Sequence, residues 1–193
     1  MKQNRVDAVL ANLEQMGLNQ ILITDPLSIL YLTGRLIKPL ERFYALYLNR
    51  SGNHKIFINL LETVPEDLGV EKVRFSDTDP YLDLAAAAID PNEPLGVDKN
   101  LPARFLLPLM EKKAASGYVN ASLAVDKARA VKDEQEKELM RKASRLNDEA
   151  LAILKTRIRP GVTEVELAEE LKQIYVDAWG NEYATALGYD DES

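Results

Sequence analysis

The sequence predicts an α/β chain: a mixed β-sheet flanked by helices, followed by two amphipathic α-helices. Three observations carry this. Short apolar runs of strand length alternate with helical stripes through the first 130 residues. Two of those runs flank Asn49-Arg50-Ser51-Gly52-Asn53-His54, turn chemistry that reads as an antiparallel hairpin and makes the sheet mixed. After residue 130 only helical periodicity is left.

Val6, Val9, Leu10, Leu13 and Met16 share one face of a first helix, and Gly17 suits the left-handed residue that ends it. Ile21-Leu22-Ile23-Thr24 reads as a buried strand. Asp25-Pro26 opens a short helix that stops at Gly34, because Asp caps and Pro fits the first turn. The hairpin strands are Tyr44–Leu48 and Lys55–Leu60, and Lys72–Phe75 is a further strand. A helix over 80–89, a strand at Leu95–Asp98, a helix from Pro102 to Ala115 and a strand at Tyr118–Ala121 complete the α/β part. Asp133 with Glu136 forms one capping box and Thr163 with Glu166 another. The stripes behind them are Leu139, Ala143, Leu146, Ala150 and Ile153, then Leu167, Leu171, Ile174 and Ala178, with Gly180 ending the second helix. Burying such Leu and Ile side chains is worth roughly 1.5–3 kcal/mol each. The stripes therefore call for docking onto the α/β part, for oligomerisation or for a further partner segment.

The 193 residues carry 24 Lys and Arg, 31 Asp and Glu, one His and no Cys. A net charge of −7 argues against a nucleic-acid surface, which needs clustered cations. Zero Cys excludes disulfides, thiolate metal sites and a Cys nucleophile, and fits a reducing, cytoplasmic setting. The polar start carries no signal core, and no stretch reaches the roughly 18 apolar residues of a membrane span. No Gly-x-Gly-x-x-Gly or phosphate-loop pattern marks a nucleotide site. The charge shifts along the chain, from a net −1 over residues 1–130 to −6 over 131–193, and places a boundary near residue 130.

Thr24-Asp25-Pro26-Leu27-Ser28-Ile29-Leu30-Tyr31-Leu32-Thr33-Gly34, continued by Glu41-Arg42-Phe43-Tyr44-Ala45-Leu46, resembles the signature of the creatinase/prolidase amino-terminal domain. Residues 127–143 look like the opening helix of the pita-bread metallopeptidase domain, and Ile158–Ala168 is similar to its second-helix motif. The resemblance implies a ribonuclease H-like amino-terminal domain over 1–127 and the start of a pita-bread catalytic domain over 128–193. It implies a parent that hydrolyses Xaa-Pro bonds as a dipeptidase or aminopeptidase. Such a parent would use two divalent metals (manganese, cobalt or zinc), take proline-containing peptides and form a homodimer. The family's ligands are two Asp, one His and two Glu, and no His follows residue 130 here. The expectation is that this chain by itself has no catalytic residue, metal site or cofactor. It would contribute dimer contacts and substrate gating as a piece of a longer enzyme or a truncated relative. The alternative is a stand-alone, non-catalytic module of the same fold that binds peptides or proteins.

In related dimeric prolidases the loop after the Gly34-type motif reaches toward the partner's substrate opening. By that resemblance Arg35, Lys38, Glu41 and Arg42 are the candidate substrate or interface residues, against the reading of an ordinary solvated loop. Arg35 stands where relatives often carry an aromatic. His54 reads as part of an exposed turn. The Glu134, Glu136 and Glu138 run favours a helix dipole, Asp190-Asp191-Glu192 reads as a solvated terminus, and Trp179-Gly180 as a helix-end anchor.

Overall fold

In the computed structural model, which describes residues 1–64 and 67–179, α1 spans Gln3–Gln15 and buries Val6, Val9 and Leu13 on its inner face. β1 (Gln20–Ile23) is buried along its whole length. α2 (Pro26–Thr33) starts where Asp25 accepts the Ser28 N–H at 2.9 Å and ends at Gly34, whose φ of +78° an L side chain seldom adopts. β2 (Ala45–Asn49) and β3 (Lys55–Asn59) form the hairpin. β4 (Glu71–Phe75), α3 (Tyr81–Ala88) and β5 (Pro94–Val97) follow. α4 (Ala103–Glu111) stops short of the expected Ala115, because Lys113 turns to a φ of +52° and the Ala114 N–H reaches back to the Leu109 carbonyl.

β6 (Gly117–Asn120) leads into α5 (Ser122–Ala130), which the periodicity does not announce. α5 buries Ala124, Val125 and Ala128, small residues that give little apolar signal. Residues 127–143 are therefore not one opening helix. α5 ends at Ala130, and α6 (Glu134–Lys155) starts afresh behind its Asp133–Glu136 capping box. α7 (Glu164–Trp179) follows the Thr163–Glu166 box. The expected stop at Gly180 and the acidic tail lie outside the described residues.

The strands form a six-stranded sheet in the order β4-β3-β2-β1-β5-β6. β2 is antiparallel to both neighbours and the other pairings are parallel. This is the mixed sheet flanked by helices that the sequence predicts. The continuous apolar runs are explained by burial on both faces. One face of the sheet carries Ile21, Ile23, Leu46, Leu48, Ile56 and Ile58 against α1, α2 and α5. The other carries Leu22, Tyr47, Phe57, Phe75 and Leu95 against α3 and α4. At β5, Gly96 allows close approach: a Cβ there would lie 2.7 Å from Ala121 Cβ and 3.1 Å from the Gln20 carbonyl.

Two compact units result, residues 1–131 and 132–193, with the divide four residues beyond the 127/128 drawn from the sequence. In the second unit α6 packs on α7, and the Tyr175 hydroxyl meets Asn147 Oδ1 at 2.8 Å. Of the α6 stripe only Ala150 is buried, while Leu139 is 59% and Ile153 43% exposed.

Candidate functional site

β1 and β5 are parallel neighbours whose following helices lie on opposite faces of the sheet, α2 on one and α4 on the other. The chain therefore opens a crevice between their carboxyl ends, the place where ligands bind in open α/β sheets. A pocket of about 220 Å³ occupies it. Asp25, Leu27 and Ser28 of α2 and its cap, Asp98, Lys99 and Asn100 after β5, and Ser122, Val125, Asp126 and Arg129 of α5 line it.

Asp98 is buried and ties the crevice together. Its carboxylate accepts hydrogen bonds from the Thr24 N–H and hydroxyl, from the Asp25 N–H at 3.1 Å and from the Asn100 N–H at 2.7 Å. Asp25 accepts from the Ser28 hydroxyl at 2.6 Å and from Asn100 Nδ2 at 3.0 Å. Burial pushes the Asp25 carboxyl up, but hydrogen bonds from Ser28 and Asn100 and the nearby Arg129 outweigh it and hold the pKa below its ordinary value. Lys99 pairs with Asp126 at 2.8 Å, and Arg129 reaches Asp25 at 3.8 Å. Sequence reasoning missed this site. Its signal was present in the polar residues that directly follow apolar strands, Thr24-Asp25 and Asp98-Lys99-Asn100, but the strand order that unites them was not.

The four residues singled out from the sequence lie on the loop between α2 and β2, and none lines this pocket. Arg42 pairs with Asp77 at 3.1 Å, which lifts its pKa chiefly through that hydrogen bond. The Glu41 carbonyl accepts from Arg104, and Ile37 is buried beneath the loop. Arg35 and Lys38 are exposed. The loop is thus held at its far end and below, with cationic side chains outward. Below it Phe43 stacks on Tyr81 at 5.7 Å and meets Phe105 edge-on at 5.1 Å.

His54 is not the exposed turn residue the sequence implied. It is half-buried, and its Nδ1 accepts the Asn49 N–H at 3.3 Å. Asn49 faces Gln20 at the start of β1, so His54 sits at the opposite end of the sheet from the pocket. Burial lowers its pKa, with Asp7 pulling weakly the other way. A dinuclear metal site needs several converging oxygen or imidazole ligands. Among the described residues no group of three or more His, Asp or Glu side chains converges to hold a metal, so the donor set here does not fit two divalent ions. Among them no helix is long and apolar enough to cross a membrane.

Residues 5–131 match the family described as the creatinase/prolidase N-terminal domain. The dipeptidase PepE from Mycobacterium ulcerans is 30% identical in sequence and superimposes with a TM-score of 0.79, over 91% of this chain and 49% of that one. The amino-terminal domain of an X-Pro dipeptidase from Streptococcus pyogenes, 19% identical with a TM-score of 0.55, covers 66% of this chain and 99% of that structure. An uncharacterized peptidase of Staphylococcus aureus is 27% identical over 180 residues, 88% of this chain and 48% of its own length. The chain spans about half the length of the curated relatives it matches.

Proposed function

The chain belongs to the creatinase/prolidase N-terminal domain family, and from this we propose that it is the non-catalytic part of an Xaa-Pro dipeptidase- or aminopeptidase-like metallopeptidase. Residues 128–193 would open the pita-bread catalytic domain, and the metal-bearing half would lie in chain beyond the described residues. The role of this part is substrate gating and dimer contact in a reducing, cytoplasmic setting. The observation that carries the reading is the match over residues 5–131, supported by the likeness to the Mycobacterium ulcerans dipeptidase over 91% of the chain.

Gating is assigned to the loop from Gly34 to Arg42. A loop tied down by Arg42–Asp77 and by Arg104 on the Glu41 carbonyl loses little entropy when it meets a ligand. Arg35 and Lys38 on its exposed side supply charges for a peptide carboxylate or a facing subunit. The reading places the hydrolytic step outside the described residues, among which no set of metal ligands converges.

The test is direct. The 193-residue chain, assayed with manganese and an Xaa-Pro dipeptide, is expected to show no turnover, and hydrolysis by it would overturn the reading. Fused to the catalytic half of a relative, it is expected to hydrolyse the same dipeptide. In that fusion Arg35→Ala raises KM severalfold and leaves kcat unchanged. Identical kinetics in the two fusions would remove the gating role.

A further inference from the structure

The pocket between β1 and β5 holds charged groups that the fold itself does not use up. Asp126 and Arg129 stand three apart on α5, on one helix face, and both line the cavity. Asp126 Oδ2 accepts from the Lys99 ammonium at 2.8 Å, and its Oδ1 has no partner among the described residues. Arg129 makes contacts through Nη1 alone, at 3.4 Å to the Ser28 hydroxyl and 3.8 Å to Asp25, both long for a charged hydrogen bond. Its Nε and Nη2 meet no acceptor among the described residues. The N–H of Leu27, in the first turn of α2 and also at the pocket wall, is likewise unclaimed. By contrast, Asp25 and Asp98 are saturated by Ser28, Asn100, Thr24 and the backbone, and serve the architecture.

The wall therefore offers a free donor fork beside a free carboxylate oxygen. Its ionisable groups are three carboxylates, Asp25, Asp98 and Asp126, against two cations, Lys99 and Arg129. A simple anion would meet a net negative surround, and a simple cation would meet Arg129. A molecule carrying both charges satisfies both walls, because each of its ends finds the opposite sign. The cavity, at about 220 Å³, lies below the roughly 300–1,000 Å³ of drug-sized sites and suits a small molecule rather than an extended peptide.

We propose that this pocket binds a small zwitterion, its carboxylate on the Arg129 guanidinium fork and its ammonium or imino nitrogen on Asp126 Oδ1. A free amino acid and a dipeptide share this chemistry. The assignment does not rest on the peptidase reading, since every residue it uses lies in the first compact unit.

The experiment is a titration of the ¹⁵N-labelled 193-residue chain with glycine, proline and glycyl-proline. Acetate and methylammonium serve as single-charge controls at matched ionic strength. The expected result is saturable shifts of the Leu27, Lys99, Asp126 and Arg129 amides with at least one zwitterion, and binding at least about tenfold weaker for either control, since each gives up one charge-assisted contact. Preference for the single amino acids or for the dipeptide identifies the source, and either supports the site. Arg129→Gln and Asp126→Asn are each expected to weaken binding about tenfold with the melting temperature kept, because both side chains are partly exposed. Three outcomes overturn the proposal: no saturable shift, acetate binding as tightly as glycine, or a folded variant of either residue binding at wild-type affinity.

Discussion

Asp98 shows how much one buried carboxylate can hold. Replaced by Ala, it would leave the Thr24, Asp25 and Asn100 N–H groups without their acceptor at the joint of β1 and β5. Each buried, unpaired donor costs about 1–3 kcal/mol. Asp98→Ala is therefore expected to lower unfolding stability by about 3 kcal/mol, with Asp98→Asn losing less, and urea denaturation of the two variants checks it. His54 gives the pH prediction. Its folded pKa lies below the ordinary 6.5 because burial disfavours the charged ring, and its Nδ1 must stay unprotonated to accept from Asn49. The unfolded chain thus takes up the proton first. The contribution is complete above pH 6.5 and is lost as pH falls through the folded value. The urea midpoint should fall between about pH 7 and pH 5 in the wild type and lose that component in His54→Gln. An equally steep fall in the variant would remove His54 as its source.

Helix ends were the most legible elements. Asp25-Pro26, Asp133 with Glu136, and Thr163 with Glu166 each cap the helix their spacing announces, because capping is a local exchange of backbone donors for side-chain oxygens. Asp133 accepts the Glu136 N–H at 2.8 Å and Glu136 accepts the Asp133 N–H at 3.0 Å. Asp133→Ala is expected to destabilise α6 by about 1 kcal/mol, seen as lower helicity and an earlier thermal transition in far-UV circular dichroism. α5 was not legible, since Ala124 and Ala128 contribute little to a hydrophobic period although both are buried. The α6 stripe was legible as amphipathic, yet Leu139 and Ile153 stay exposed, because periodicity marks a face and does not name what covers it.

At the scale of the molecule, both apolar clusters of the sheet, one on each face, are built from residues no later than Ala128. The first unit therefore owns a complete two-faced core. Residues 1–131 expressed alone are expected to unfold cooperatively, at a urea midpoint close to that of the matching transition in the whole chain. A broad, non-cooperative transition would show that the core needs more than these residues.

The local sequence decided the strands, the caps, the hairpin and the family, because each rests on residues within a few positions of one another. It also placed the loop of Arg35, Lys38, Glu41 and Arg42. The crevice was decided only by tertiary structure. Asp98 reaches Thr24 across 74 positions of chain, and Arg129 reaches Ser28 across 101. Those pairs meet because β1 and β5 lie side by side while their helices leave to opposite faces. Strand order is chosen by the packing of the whole sheet, and no short stretch of residues contains it.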